Sequence, residues 1–148
     1  VETIGFRSTN VRLFDTSLMI IPNKDLSDVS VINHKQLKFR RIKWTINLVY
    51  GTSSEAIVKI CSDIERVIND TSLGFEINPG QESFAKATEF GASSIDLEVL
   101  CYTGINSYTE FSEIKQKLLI EIKKIVLNHG SDFAFPSRSV YIESSPTE

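Results

Sequence analysis

The sequence predicts an α+β protein in two unequal units: a short β unit, then a unit ordered strand, helix, strand, strand, helix. Three observations carry this. Apolar and polar residues alternate with period two over 41–50 and 94–101, the pattern of strands with one buried face. Two stretches, 57–68 and 111–126, repeat apolar residues every three or four positions, the mark of a helix with one apolar face. The charge also changes sign: residues 1–47 hold eight Lys/Arg against four Asp/Glu, whereas the remainder holds eight against fifteen. Composition sets the outer bounds. Hydrophobic residues make up 41% and charged residues 24%, which excludes disordered and collagen-like chains. A chain this long can bury about 68–70% of its unfolded surface, enough for a real core. The longest aliphatic run, Leu18-Met19-Ile20-Ile21, is far shorter than the ~20 residues that cross a bilayer.

In order, Thr9-Asn10-Val11-Arg12-Leu13 alternates as a strand, Asp15-Thr16-Ser17 turns, and Leu18–Ile21 forms a second strand ended by Pro22-Asn23. Two strands do not make a stable domain, so this unit is incomplete or assembled with other chains. The start at Val1, within a strand, reads as a fragment. Residues 24–38 read as a polar connector. From 41 to 50, Ile42, Trp44, Ile46, Leu48 and Tyr50 share one face, and Arg41, Lys43, Thr45, Asn47 and Val49 the other. Thr52-Ser53-Ser54-Glu55 reads as a capping box with Thr52 as cap. The helix behind it presents Ile57, Ile60, Cys61, Ile64, Val67 and Ile68, and ends between Asn69 and Gly74. Asn78-Pro79-Gly80 is a turn. Strands over 82–90 and 94–101 make a hairpin around Gly91, with Ile95, Leu97, Val99 and Cys101 inward.

Ser107–Glu110 repeats the cap pattern before Phe111, Ile114, Leu118, Ile122 and Ile125, a stripe that Leu119 and Val126 widen. His129-Gly130 stops that helix. Pro136 breaks the next segment, and Ser139–Ile142 reads as a last short strand. From residue 41 the order is that of the split βαβ, ferredoxin-like arrangement.

Chemistry-bearing motifs are missing from this pattern. His34 and His129 stand far apart, and neither HExxH nor CxxC occurs, so no metal site is expected. His129 reads as a stabiliser of a helix C-terminus and His34 as a solvated loop residue. Nucleophile elbows and phosphate-binding glycine loops are lacking, and the carboxylates pair with neighbouring Lys along helices. No catalytic residue and no cofactor are expected; the chain does not read as an enzyme. Cys61 and Cys101 sit on apolar stripes and read as buried hydrophobes in a reducing compartment. Lys35, Lys38, Arg40, Arg41 and Lys43 form a run without acids. Its plainest reading is a solvated connector entering a strand with a basic wet face. A surface acting on mobile ions is the second reading, and phosphate contact the third.

Val1-Glu2-Thr3-Ile4-Gly5-Phe6-Arg7-Ser8-Thr9, continuing through Val11-Arg12 and Asp15 to Ile20-Ile21-Pro22-Asn23, resembles the V-E-x-I-x-x-R-x-T…I-P-N signature of the small-conductance mechanosensitive ion channel family. Tyr50-Gly51-Thr52, Glu89-Phe90-Gly91-Ala92-Ser93-Ser94-Ile95, and Gly130 with Phe135-Pro136-Ser137-Arg138-Ser139-Val140 resemble further segments of its cytoplasmic region. Asp132, Ala134 and Ser137 depart from the usual ending. The resemblance implies the end of a middle, Sm-like β domain with its connector over 1–38, a ferredoxin-like α/β domain over 39–143, and a disordered tail over 144–148.

It further implies a homoheptameric ring enclosing a cytoplasmic vestibule with side portals. The pore would be made by transmembrane helices upstream, in the cell membrane, and would release ions and small osmolytes on osmotic downshock. Lys43 and Glu89 resemble portal-facing positions. Pro22, Asn23, Gly91 and Pro136 resemble structural ones: Gly91 permitting a sharp hairpin, Pro22-Asn23 ending the β domain. A soluble ligand-sensing or RNA-binding module on the same folds is the alternative, but nucleic acid is not expected. The outward residues are Ser94, Asp96, Glu98 and Leu100: the two carboxylates would repel phosphate, and none offers an aromatic platform.

Overall fold

The computed structural model describes residues 1–30, 32, 37–76, 80–105 and 107–137. By contacts the chain falls into two compact units, Val1–Gln36 and Leu37–Glu148.

The first unit is an antiparallel meander of β1 (Thr3–Ile4), β2 (Ser8–Arg12) and β3 (Leu18–Pro22). Thr9 is paired with Ile4 on one side and Ile21 on the other. The expected turn at 15–17 is an Asx turn: the amide and hydroxyl of Ser17 both donate to the Asp15 carboxylate, at 3.0 and 2.6 Å. A five-residue helix, α1 (Asn23–Ser27), follows where the sequence reads as connector. Thr9 alone is buried among the described residues of this unit, and Ile4, Met19 and Ile20 stand exposed. Its sheet therefore has no core of its own.

The second unit contains β4 (Arg40–Leu48), α2 (Ser54–Ile68), a 3-10 turn (Thr71–Leu73), β5 (Phe84–Phe90), β6 (Ile95–Thr103) and α3 (Tyr108–Asn128). Its sheet runs β4-β6-β5, antiparallel throughout. First, third, second is the ferredoxin-like order of the expected α+β class. After α3 the chain returns to the other edge of β4. There the Val49 amide donates to the Asp132 carbonyl at 3.1 Å, and the Ala134 amide to the Asn47 carbonyl at 2.8 Å. The fourth position of the arrangement lies along that edge. Ser139–Ile142, His34 and the Asn78-Pro79 turn lie outside the described residues.

Alternation in the sheet meets the helical stripes. Ile42, Leu48, Leu97, Val99 and Cys101 pack with Ile60, Ile64 and Ile68 of α2 and with Leu118, Ile122 and Val126 of α3. Gly130, at φ +69°, closes α3, with its amide on the Leu127 carbonyl.

Three local readings are corrected. Tyr50 does not join the inward face, because the strand ends at Leu48 and the Thr52 amide turns back to the Val49 carbonyl. Its ring stacks on Phe90 at 6.3 Å and its hydroxyl donates to the Gly91 carbonyl. The cap of α2 is Ser53, whose hydroxyl accepts from the Ala56 amide, while the Thr52 hydroxyl turns inward, donating to the Val49 carbonyl and hydrogen-bonding the Ser131 hydroxyl, both at 2.7 Å. Leu119 points outward from α3, 56% exposed. Leu97→Ala should therefore cost about 2–5 kcal/mol in urea unfolding, the usual loss for an emptied core site. Leu119→Ala should stay within about 0.5 kcal/mol of the parent, as surface changes do.

Candidate functional site

The side of the sheet away from the helices carries the polar residues that the sequence singles out. Lys43 projects from β4 opposite Leu100 and reaches diagonally to Glu98, with Nζ 2.8 Å from the carboxylate. The lysine is half exposed, so the pair itself contributes at most about 1 kcal/mol. Glu89 lies across the sheet on β5, opposite Asp96, just past an irregularity between Ala87 and Glu89. Both portal candidates thus flank β6 on one face, four residues apart along it.

Between them and the end of the sheet lies a hydrogen-bonded group that sequence reading missed. Asn47 donates from Nδ2 to Oδ1 of Asp96 at 2.6 Å, and the Ser94 hydroxyl donates to the same oxygen at 2.6 Å. The only sequence signal is register: once Leu48 faces Ile95, Asn47 must face Asp96. Gly91 opens the turn, with its amide on the Ser94 carbonyl at 2.8 Å. A Cβ on Gly91 would stand 2.6 Å from the Ser94 hydroxyl and about 3 Å from both Asp96 oxygens. Close approach, not a left-handed backbone, is what this position demands. Gly91 and Pro136 line the same cleft, together with Asn47 and Asp96.

In the first unit, Asn23 is the centre of a second polar group. Its side chain donates to the carbonyls of Gly5 and Phe6 at 2.9 and 3.2 Å and accepts from the Thr9 hydroxyl at 2.8 Å. Its amide donates to the Arg7 carbonyl. Arg12 holds Glu2 through two nitrogens. Pro22 closes β3 opposite Ser8 and precedes α1.

His129 does more than close α3. Its Nε2 lies 2.8 Å from Asp63 of α2, which also holds Arg66 at 3.0 Å. The hydrogen bond to His129, with the nearby Arg66 charge, keeps the Asp63 carboxyl below its ordinary range. Burial pushes the Cys61 thiol up, and the Cys101 thiol up to about 12. Both are therefore protonated at neutral pH. Among the described residues no group of three His, Cys, Asp or Glu could hold a metal ion, and no helix is long and apolar enough to cross a membrane.

This architecture, an open β unit followed by a ferredoxin-like unit, is matched by two family models in the same order. Residues 1–36 match the mechanosensitive ion channel beta-domain, and residues 42–133 match the C-terminal domain of mechanosensitive ion channel MscS. An uncharacterized MscS family protein of Aquifex aeolicus is 36% identical over 99% of this chain and 39% of its own length. The low conductance mechanosensitive channel YnaI of Escherichia coli is 31% identical over 97% of this chain and 41% of its length. Helicobacter pylori MscS in its closed state superposes with a TM-score of 0.76 at 23% identity, over 97% of this chain and 54% of that one. Class and family follow together: the chain carries the C-terminal fold of a mechanosensitive ion channel and belongs to the MscS family. It spans less than half the length of the curated relatives named here.

The Asp63 carboxyl, held below its ordinary value of 3.8, adds stability that is present above that pH and is lost as the pH falls through the lowered value. Asp63→Asn should remove that part of the acid limb of a stability-against-pH curve. It should leave the slope contributed by the other carboxylates unchanged.

Proposed function

We propose that this chain is the cytoplasmic, ring-forming part of a mechanosensitive channel whose pore is built by transmembrane segments elsewhere in the protein. The observation that carries the reading is the succession of two family matches, 1–36 then 42–133, over nearly the whole chain. The division proposed is an Sm-like end and connector to residue 38 and a ferredoxin-like domain to 143. Copies assemble as a homoheptamer around a vestibule, and ions and small osmolytes enter it through side portals on their way to the pore. The open first-unit sheet supports this, because its exposed Ile4, Met19 and Ile20 need cover that the described residues of the unit do not supply. An RNA-binding role gains nothing from the sheet's polar side, where Asp96 and Glu98 would meet phosphate.

Lys43 and Glu89 are proposed as portal-lining charges. A fixed charge at a narrow opening concentrates mobile ions of opposite sign. Glu98 offsets Lys43 locally, so the field at this point is set by the pair and by Glu89 together.

Two measurements test the reading. Light scattering of the whole protein that contains this chain should give a seven-fold mass; a monomer there at all concentrations would count against self-assembly. In the channel that contains this chain, Lys43→Glu should shift the reversal potential in asymmetric salt towards cation preference. Lys43→Gln should produce a smaller shift of the same sign. An unchanged reversal potential would remove Lys43 from the portal while leaving the ring untouched.

A further inference from the structure

The cleft beside the β5–β6 turn has the chemistry of a binding site for a small organic cation. It has a volume of about 390 Å³ and is lined by the turn 91–94 together with Ala134, Phe135 and Pro136. That size is within the range of small-ligand sites. Its polar side is Asp96, flanked by Asn47 and Ser94. Both neighbours donate to the same carboxylate oxygen, Oδ1, which fixes the carboxylate's orientation. The second oxygen, Oδ2, has no hydrogen-bond partner among the described residues. Gly91 leaves the space directly beside it, because a Cβ there would come within 3.1 Å of that oxygen. The same cleft is lined by Phe135, 73% exposed, and by Pro136.

The chemistry selects among ligand classes. An anion would meet the Asp96 charge. A divalent metal ion needs several oxygen ligands, and the described residues provide no such group. A neutral apolar molecule would strip water from a carboxylate and give nothing back. A monocation with an apolar skin suits both kinds of lining: its charge suits Asp96 Oδ2, and its methyl groups suit the Phe135 ring and Pro136. We propose that this cleft binds a small N-methylated or alkylated ammonium ion, with Asp96 as counter-ion and Phe135 as the aromatic wall. Every residue involved belongs to the second unit, so the site does not depend on the channel reading or on ring assembly.

The test is calorimetric titration of the 148-residue chain with tetramethylammonium chloride, with sodium chloride at equal ionic strength as reference. A saturable heat is expected for tetramethylammonium and none for sodium. Asp96→Asn keeps an acceptor for Asn47 and Ser94 but removes the charge. It should weaken binding about tenfold or more, the scale of one lost charge-assisted contact. Phe135→Ala, at an exposed ring, should also weaken binding while the cooperative melting transition of the parent is kept. This second variant carries the test if Asp96→Asn fails to fold. Equal heats for the two salts, or parent-like affinity in a folded Asp96→Asn or Phe135→Ala chain, would overturn the proposal.

Discussion

The second unit depends on β6. It is the middle strand, hydrogen-bonded to β4 along one side and to β5 along the other, and its inward residues Ile95, Leu97, Val99 and Cys101 are all buried. A strand paired on both sides has no freedom of register: a one-residue slip would turn Asp96 and Glu98 into the core. The two helices are held to the same surface by stripes that match it. The polar geometry is a consequence of this single constraint. With Trp44 fixed opposite Val99, Lys43 must lie within reach of Glu98, and Asn47 within reach of Asp96.

How much of this was legible follows from what each signal encodes. Periodicity reports which residues face inward along a regular element, so β4, α2, β6 and the main stripe of α3 could be read directly. It fails where the element stops. Tyr50 continues the alternation in sequence, yet the backbone has already turned at Val49, and the ring finds Phe90 instead. Thr52 and Ser53 are chemically equivalent as caps. The Thr52 hydroxyl is instead engaged by the Val49 carbonyl and by Ser131, nearly eighty residues away. Leu119 lies beside a genuine stripe, next to the buried Leu118, yet is 56% exposed. The Asn47–Asp96–Ser94 group was invisible for a related reason, since cross-strand partners are set by register and not by spacing along the chain.

The family signature of the first unit gains a physical reading. Its Glu2 pairs with Arg12, its Thr9 donates to Asn23, and Asn23 holds the backbone of Gly5, Phe6 and Arg7. Residues spread over more than twenty positions thus fasten one small meander. Gly5 belongs to the same fastening: a Cβ there would stand 2.9 Å from the Ser8 carbonyl that its own amide donates to. These contacts fix shape more than they supply stability, because most are exposed and replace hydrogen bonds to water.

The two units therefore meet different physical demands. The second buries a contiguous apolar cluster and shows its charges on the uncovered side of a sheet, as a self-sufficient small domain does. The first holds three short strands in place by polar bonds and leaves Ile4, Met19 and Ile20 uncovered. Three strands become stable by packing on something, and the something is not within its own described residues. A unit preset in shape but uncovered is suited to assembly. Its hydrogen bonds reduce the ordering cost that a flexible segment would carry on association, and its Ile4, Met19 and Ile20 provide apolar area for the contact. The signature is thus best understood as preorganisation: polar residues hold the backbone so that apolar ones can be covered from outside.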